Sequence, residues 1–439
     1  MVCQPDVVAD IAEEVGQDMT VDKRPVRVPL VVASARDREL TGVTVRVRLA
    51  LALATVLVVI GAVPGVAQSR QSPNGSSLRA SLRADLSRYL STRRVAEHIS
   101  AVSLAVAFRG RRPGINLAVG RTRYRGGRPI SLNNLWEMGS NTKAFTAVMM
   151  LQLEAEGKLS INDTLAKWLP QYPAWGQITI KQLLNMTSGI QDALAQPAFL
   201  QTYAAAPNRV FSGERLVSYV AGLPLETGWL YSNTNYVMAQ MIIERATHDS
   251  YAGQLRRRIA VPLGLDNLFF GATRYPGSVT ARLPAGYFYL GPDALPEMSS
   301  QFGTDQSRYP VAAPASGGIA TTPADLAKWS RALFTGRLLP PKQQRELESL
   351  VSQKTGKPIK KLTPGDPAGF GLGVSQSTAS ALGTVWLYLA STLGFRSLLT
   401  YVPRSGTAIA IGVNSVPEQD HLPRLGTSIY QTLHRAGVS

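Results

Sequence analysis

The stretch Trp136-Glu137-Met138-Gly139-Ser140-Asn141-Thr142-Lys143-Ala144-Phe145-Thr146-Ala147 places a serine and a lysine three residues apart where an apolar helical pattern begins. On a helix, residues three apart share a face. The spacing therefore sets a hydroxyl beside an amine. Serine is a weak nucleophile until a neighbouring base takes its proton. Lysine can be that base when burial or nearby positive charge lowers its pKa. The N-terminal end of a helix carries partial positive charge. This is the only Ser-x-x-Lys in the chain, and the helix expected from Ala144 to Glu156 is closed by Gly157. The bland alternative is an N-cap serine with a solvated lysine one turn on.

A second element tips the balance. Tyr231-Ser232-Asn233 is the only Tyr-x-Asn of the sequence. The two motifs together resemble the serine β-lactamase and penicillin-binding-protein superfamily. The likeness is strongest to the branch of class C β-lactamases, D-Ala-D-Ala carboxypeptidases, family VIII esterases and D-aminopeptidases. Leu183-Leu184-Asn185-Met186-Thr187-Ser188-Gly189-Ile190 is similar to a further loop of that family, with Met186 where histidine is common. Ala315-Ser316-Gly317-Gly318 followed by Thr322-Pro323-Ala324-Asp325 is similar to its Gly-Gly loop leading into a helix. The resemblance runs from about Leu86 to the C-terminus. It implies an α+β sandwich: an antiparallel sheet flanked by helices, an inserted helical subdomain, and an active site in the cleft between them.

Composition narrows the functional classes. With 439 residues and a formal charge of +17, the chain can bury a large core and is strongly basic. Its arginines are scattered, with no zinc-finger spacing and no basic helix, so nucleic-acid binding is not expected. The single cysteine is Cys3, which removes any thiol nucleophile from the rest of the chain. His98, His248, His421 and His434 show no metal-ligand spacing, and neither a metal nor a cofactor is expected. No Gly-x-Ser-x-Gly elbow supports a Ser-His-Asp triad.

Residues 1–67 read as a leader and signal peptide. Arg46 and Arg48 precede the apolar run Leu49–Val63, and Pro64-Gly65-Val66-Ala67 ends in a small-residue cleavage pattern. The expected location is periplasmic or secreted. The rival is an uncleaved anchor through Leu49–Val63 in the inner membrane. Residues 68–85 read as a Ser-rich linker and 86–439 as the hydrolase domain. That domain should open with a helix at Leu86–Ile99 and a hairpin of Val102–Phe108 with Ile115–Val119. Strands are expected again at Phe370–Val374, Val385–Leu389, Arg396–Val402 and Thr407–Val413, with a last helix near Leu422–Arg435. Strands at both ends with helices between them imply one sheet built from distant segments.

The resemblance assigns roles. Ser140 would be acylated. Lys143 and Tyr231 would move its proton. Asn233 would bond Lys143 and a substrate amide. Backbone N–H groups of Ser140 and Ser391 would receive the oxyanion. Asn414 would lie near substrate carboxylates. The third family motif, Lys/His-Thr/Ser-Gly, is altered: Gly394-Phe395 sets the register, and the motif falls on Tyr388-Leu389-Ala390. Loss of the cation and the hydroxyl should weaken recognition of a carboxylate, with Arg396 as a candidate substitute, and Tyr388 with Leu389 should form an apolar wall suited to uncharged acyl groups. Three readings stay open: an envelope serine hydrolase of esters or amides, a β-lactamase or D,D-carboxypeptidase, and a binding protein that has lost catalysis. The expected partner is a small-molecule or peptide substrate, and a monomer is expected.

Overall fold

The computed structural model describes residues 75–110, 112–288, 311–379, 382–417 and 419–438. The leader, the apolar run Leu49–Val63 and Cys3 lie outside the described residues. Within them, no helix is long and apolar enough to cross a membrane.

Among the described residues, nine strands form one antiparallel sheet. They are β1 Ala101–Ala107, β2 Ile115–Gly120, β3 Leu350–Ser352, β4 Pro358–Ile359, β5 Ala368–Phe370, β6 Ser375–Ala379, β7 Gly383–Ser391, β8 Arg396–Val402 and β9 Thr407–Val413. The spatial order is β2-β1-β9-β8-β7-β6-β5-β3-β4. The N-terminal hairpin thus pairs with the C-terminal strand, Val102 opposite Val413 and Ala107 opposite Ala408.

Alternation along these strands separates two layers. On β1 and β9 the large residues Val102, Leu104, Val106, Ile409, Ile411 and Val413 share one face. That face is covered by helix α1, Gly75–Arg93, and by the last helix, Leu422–Arg435. The other face carries Ala101, Ala105, Ala408 and Ala410. Small side chains there let large groups approach closely: a Cβ on Gly412 would stand 2.8 Å from the Trp136 ring. Helix α1 starts at Gly75, eleven residues earlier than a linker through 85 allows. Leu78, Leu82 and Leu86, spaced four apart, are buried against the sheet and extend the helix into the Ser-rich segment.

The helix that follows Ser140 is α2, Thr142–Ala155. It is apolar nearly all round and buried at its centre, as a core helix must be. Phe145 stacks on Trp329 of the helix Pro323–Phe334 with ring centroids 3.7 Å apart. Such a pair contributes about 0.5–1.5 kcal/mol beyond its buried area. Helix α3, Asn233–Thr247, packs beside α2 in the helical lobe.

Candidate active site

Ser140 lies in a single 3₁₀ turn, Gly139–Asn141, that leads directly into α2. Lys143, one turn later, is fully buried. Its Nζ donates to Ser140 Oγ at 2.9 Å, to Asn233 Oδ1 at 2.8 Å and to the Ser316 carbonyl at 3.1 Å. An amine nitrogen has three positions beyond its carbon. Asn233 Oδ1 and the Ser316 carbonyl can only accept, so they fix two of these as N–H. The third is aimed at Ser140, as an N–H in the ammonium and as a lone pair in the free amine. The Nζ also sits 4.7 Å from the Tyr231 ring centroid and 5.5 Å from that of Tyr236. Both rings favour a cation there.

Tyr231 lies just before α3. Its hydroxyl donates to Ser140 Oγ at 2.5 Å. Asn233 is the first residue of α3 and is buried. The Leu183–Ile190 segment holds this element in place. Leu230 N–H donates to the Met186 carbonyl at 2.9 Å, and Ser232 N–H lies 3.4 Å from Met186 Sδ. Ser188 Oγ donates to Asn235 Oδ1 at 2.7 Å. Met186 adopts φ +66°, an uncommon conformation for a non-glycine residue. The loop therefore fixes the Tyr-x-Asn element against α2, a role its sequence does not announce.

Ser391 ends β7. A Cβ on Gly139, which has φ +47°, would lie 2.8 Å from the Ser391 carbonyl oxygen and 3.3 Å from its nitrogen. Only glycine allows the turn before the nucleophile to seat so closely against that strand. The two residues expected to face the oxyanion, Ser140 and Ser391, are thus neighbours in space.

Tyr388 lies beside Tyr231. It is buried, and its hydroxyl is 3.5 Å from that of Tyr231. Trp229 links Tyr231 to Phe370, with centroids 6.3 and 5.6 Å apart, and Phe370 meets Tyr388 edge-on at 6.3 Å. These four rings form one cluster, whose member Tyr231 reaches Ser140.

Three expectations require correction. Leu389 does not join Tyr388 in this wall: strand alternation turns it to the opposite face, against the terminal helices. Asn414 is fully buried and committed to the scaffold. Its Oδ1 accepts from the Ser100 and Ala101 N–H groups at 3.2 and 2.9 Å. Its Nδ2 donates to Ser100 Oγ and to the Ala285 carbonyl, both at 2.7 Å. Its amide is thus occupied in joining the hairpin to β9. Arg396 is also buried, paired to Glu97 at 2.6 Å and to Asp420, with Nε on the Ser415 carbonyl at 2.6 Å. It offers no cation to a substrate.

Two contributors escaped the sequence reading. One is the Ser316 carbonyl that receives Lys143. The other is Asp192, whose Oδ2 accepts from Asn233 Nδ2 at 2.8 Å. Burial raises the Asp192 pKa above the ordinary carboxylate value, opposed by the Leu194 N–H, the Asn233 amide and the Lys143 charge. Among the described residues, no group of three or more His, Cys, Asp or Glu could hold a metal ion.

Comparison with known proteins agrees with this geometry. A family model described as Beta-lactamase matches residues 86–432. A penicillin-binding protein of Bacillus subtilis (strain 168) is 28% identical over 295 residues, covering 64% of this chain but only 61% of that relative's length. The solved structure of a D-stereospecific amidohydrolase from Streptomyces sp. is 27% identical with a TM-score of 0.64, covering 82% of this chain and 98% of that one. The D-amino acid amidase from Ochrobactrum anthropi SV3 shares the fold at 22% identity and a TM-score of 0.68, over 82% of this chain and 99% of its own. With a family model matched over most of its length and an antiparallel sheet of the same fold, the chain belongs to the β-lactamase family.

Proposed function

We propose that this protein is an exported hydrolase that cleaves small amides or esters whose acyl portion carries no carboxylate, through an acyl-serine intermediate. The observation that carries the reading is the Tyr231 hydroxyl 2.5 Å from Ser140 Oγ, with Lys143 Nζ 2.9 Å from the same atom. Ser140 Oγ attacks the substrate carbonyl carbon, and its proton passes to the Lys143–Tyr231 unit. The carbonyl oxygen takes up negative charge against the backbone at Ser140 and Ser391. The unit returns the proton to the departing amine or alcohol. A water, deprotonated by the same unit, then releases the carboxylic acid and restores Ser140.

Tyr231 and Tyr388, backed by Trp229 and Phe370, favour an apolar acyl or side-chain group. A phenol stands where related enzymes place a cation, and Arg396 is committed to Glu97 and Asp420. The 27% identity to a D-stereospecific amidohydrolase makes D-amino acid amides the first amides to test. The likeness to a penicillin-binding protein supports a second reading, in which penicillins or D-alanyl peptides are the substrates. Export rests on Arg46, Arg48, Leu49–Val63 and Ala67.

The test compares kcat/KM for p-nitrophenyl butyrate, D-phenylalanine amide, a penicillin and a cephalosporin. Turnover of the ester or the amide with poor turnover of both β-lactams supports the first reading. Equal efficiency on a cephalosporin favours the second. N-terminal sequencing of the exported product should begin near Gln68. A membrane-bound product that retains Leu49–Val63 indicates an anchor instead.

A further inference from the structure

Asp192 belongs to the hydrogen-bonded line that ends at the nucleophile: Ser140, Lys143, Asn233, Asp192. A carboxamide has two ends of similar shape and opposite bonding, since its oxygen accepts and its NH₂ donates. Lys143 presents N–H to Asn233 and therefore needs the oxygen end. A flipped Asn233 would set two donors against each other at 2.8 Å and leave Oδ1 facing a carboxylate. Asp192 makes the unflipped state the only satisfied one, because an ionised carboxylate only accepts. Both of its oxygens are in use: Oδ2 receives Asn233 Nδ2 at 2.8 Å, and Oδ1 receives the Leu194 N–H at 3.1 Å. The second bond caps the turn Ala193–Ala195. That cap needs only one oxygen, so capping does not account for the first bond. The side chain is 9% exposed, which protects both bonds from exchange with water.

The surroundings hold the pair together at several further points. Thr234 Oγ1 donates to the Gln191 carbonyl at 2.8 Å and accepts from the Ala193 N–H at 2.8 Å. Ser232 Oγ donates to the Gln191 carbonyl at 3.1 Å. Residues 191–193 and 232–234 are thus bonded to each other on both sides of the Asp192–Asn233 contact. The carboxylate cannot drift from the amide without breaking these bonds as well.

We propose that Asp192 is a positioning residue for the Ser140–Lys143 pair: its carboxylate fixes the Asn233 amide with Oδ1 toward Lys143, and so aims the third valence of Nζ at Ser140. Asp192 touches neither substrate nor nucleophile. It acts through Asn233, and its effect exists only while that amide is present. The inference rests on the acyl-serine reading above.

The experiment measures the rate of acylation by a fluorophosphonate, and by p-nitrophenyl butyrate, per folded molecule. The proteins are the wild type, Asp192→Asn, Asp192→Ser, Asn233→Ala and Asp192→Asn/Asn233→Ala. Serine keeps a good cap for Ala193–Ala195 and is too short to reach Asn233. Both single Asp192 variants should acylate at least about 10-fold more slowly, as misaimed catalytic groups do. In the Asn233→Ala background the same change should cost less than about 3-fold, because the two side chains form one unit. Equal slowing in both backgrounds, or wild-type acylation by Asp192→Ser, overturns the assignment. Failure of the wild type to take up any fluorophosphonate overturns the acyl-serine reading itself. Wild-type labelling with equally fast variants overturns only the role of Asp192.

Discussion

The hydroxyl of Tyr388 stands 3.5 Å from that of Tyr231, so a second phenol borders the Ser140–Lys143–Tyr231 cluster at the position where the resemblance expects a cation. Tyr388 is reached from β7, whose alternation places it and Ala390 in the core on the α2 side and Leu389 on the other. The substrate preference should therefore turn on Tyr388 and Ala390 alone. Tyr388→Lys combined with Ala390→Gly should raise kcat/KM for a cephalosporin relative to p-nitrophenyl butyrate by about 10-fold or more. One charged hydrogen bond contributes roughly 1.5–3 kcal/mol, and about 1.4 kcal/mol is tenfold in rate. Adding Leu389→Thr should change that ratio little. An unchanged ratio in the double variant would show that the wall does not set the preference.

Lys143 and Tyr231 bond the same oxygen, Ser140 Oγ. Groups that act as one unit lose their effects together. Lys143→Ala and Tyr231→Phe should each remove most ester hydrolysis, and the double variant should be little worse than either single one. Multiplicative losses, measured as kcat on p-nitrophenyl butyrate, would mean that the two residues act independently.

Asp192 gives stability and activity opposite pH trends. Burial raises its folded pKa above the unfolded value. Below the ordinary carboxylate range both states hold the proton. As pH rises, the unfolded chain releases it first, so the native state is progressively disfavoured until pH passes the raised folded value. Asp192→Asn has no such loss. The Tm of the wild type minus that of Asp192→Asn should therefore fall from acid to neutral pH, while the variant remains the slower to acylate. A rise of that quantity with pH would contradict the burial argument.

The Glu97–Arg396 pair is buried at both ends and ties the turn after α1 to β8. Tyr89 hydroxyl at 3.1 Å, His421 Nδ1 at 3.2 Å and Arg93 Nε at 4.0 Å also approach the Glu97 carboxylate. Removing one partner strands the other charge in the interior, at a cost of about 3–5 kcal/mol. Arg396→Met should lower stability to urea by about that amount. The ratio of cephalosporin to ester turnover should stay as in the wild type. A change in that ratio would restore Arg396 as a contact for substrate carboxylates.

The strands β8 and β9 and the helix Leu422–Arg435 occupy the spans read from sequence, because alternation and helical periodicity are local signals. The same holds for Ser140 with Lys143, which one helical turn brings together. The start of α1 was hidden because serine and arginine surround the Leu78–Leu82–Leu86 stripe, and only packing against the sheet reveals it. Arg396 and Asn414 were misjudged for a different reason. Their partners Glu97 and Ser100 lie 299 and 314 residues away in the chain, and no spacing rule connects them. Asp192 and the Ser316 carbonyl were missed because a backbone oxygen and an isolated aspartate carry no motif of their own. Leu389 was assigned by motif position, without regard to which face of the strand that position takes.

The most direct test is covalent labelling of the mature protein with a fluorophosphonate, followed by intact mass and peptide mapping. The expected result is a single adduct, carried by the peptide that contains Ser140 and abolished in Ser140→Ala with the fold intact. No adduct on the wild type, or one that persists in Ser140→Ala, would contradict the assignment of Ser140 as the acylated residue.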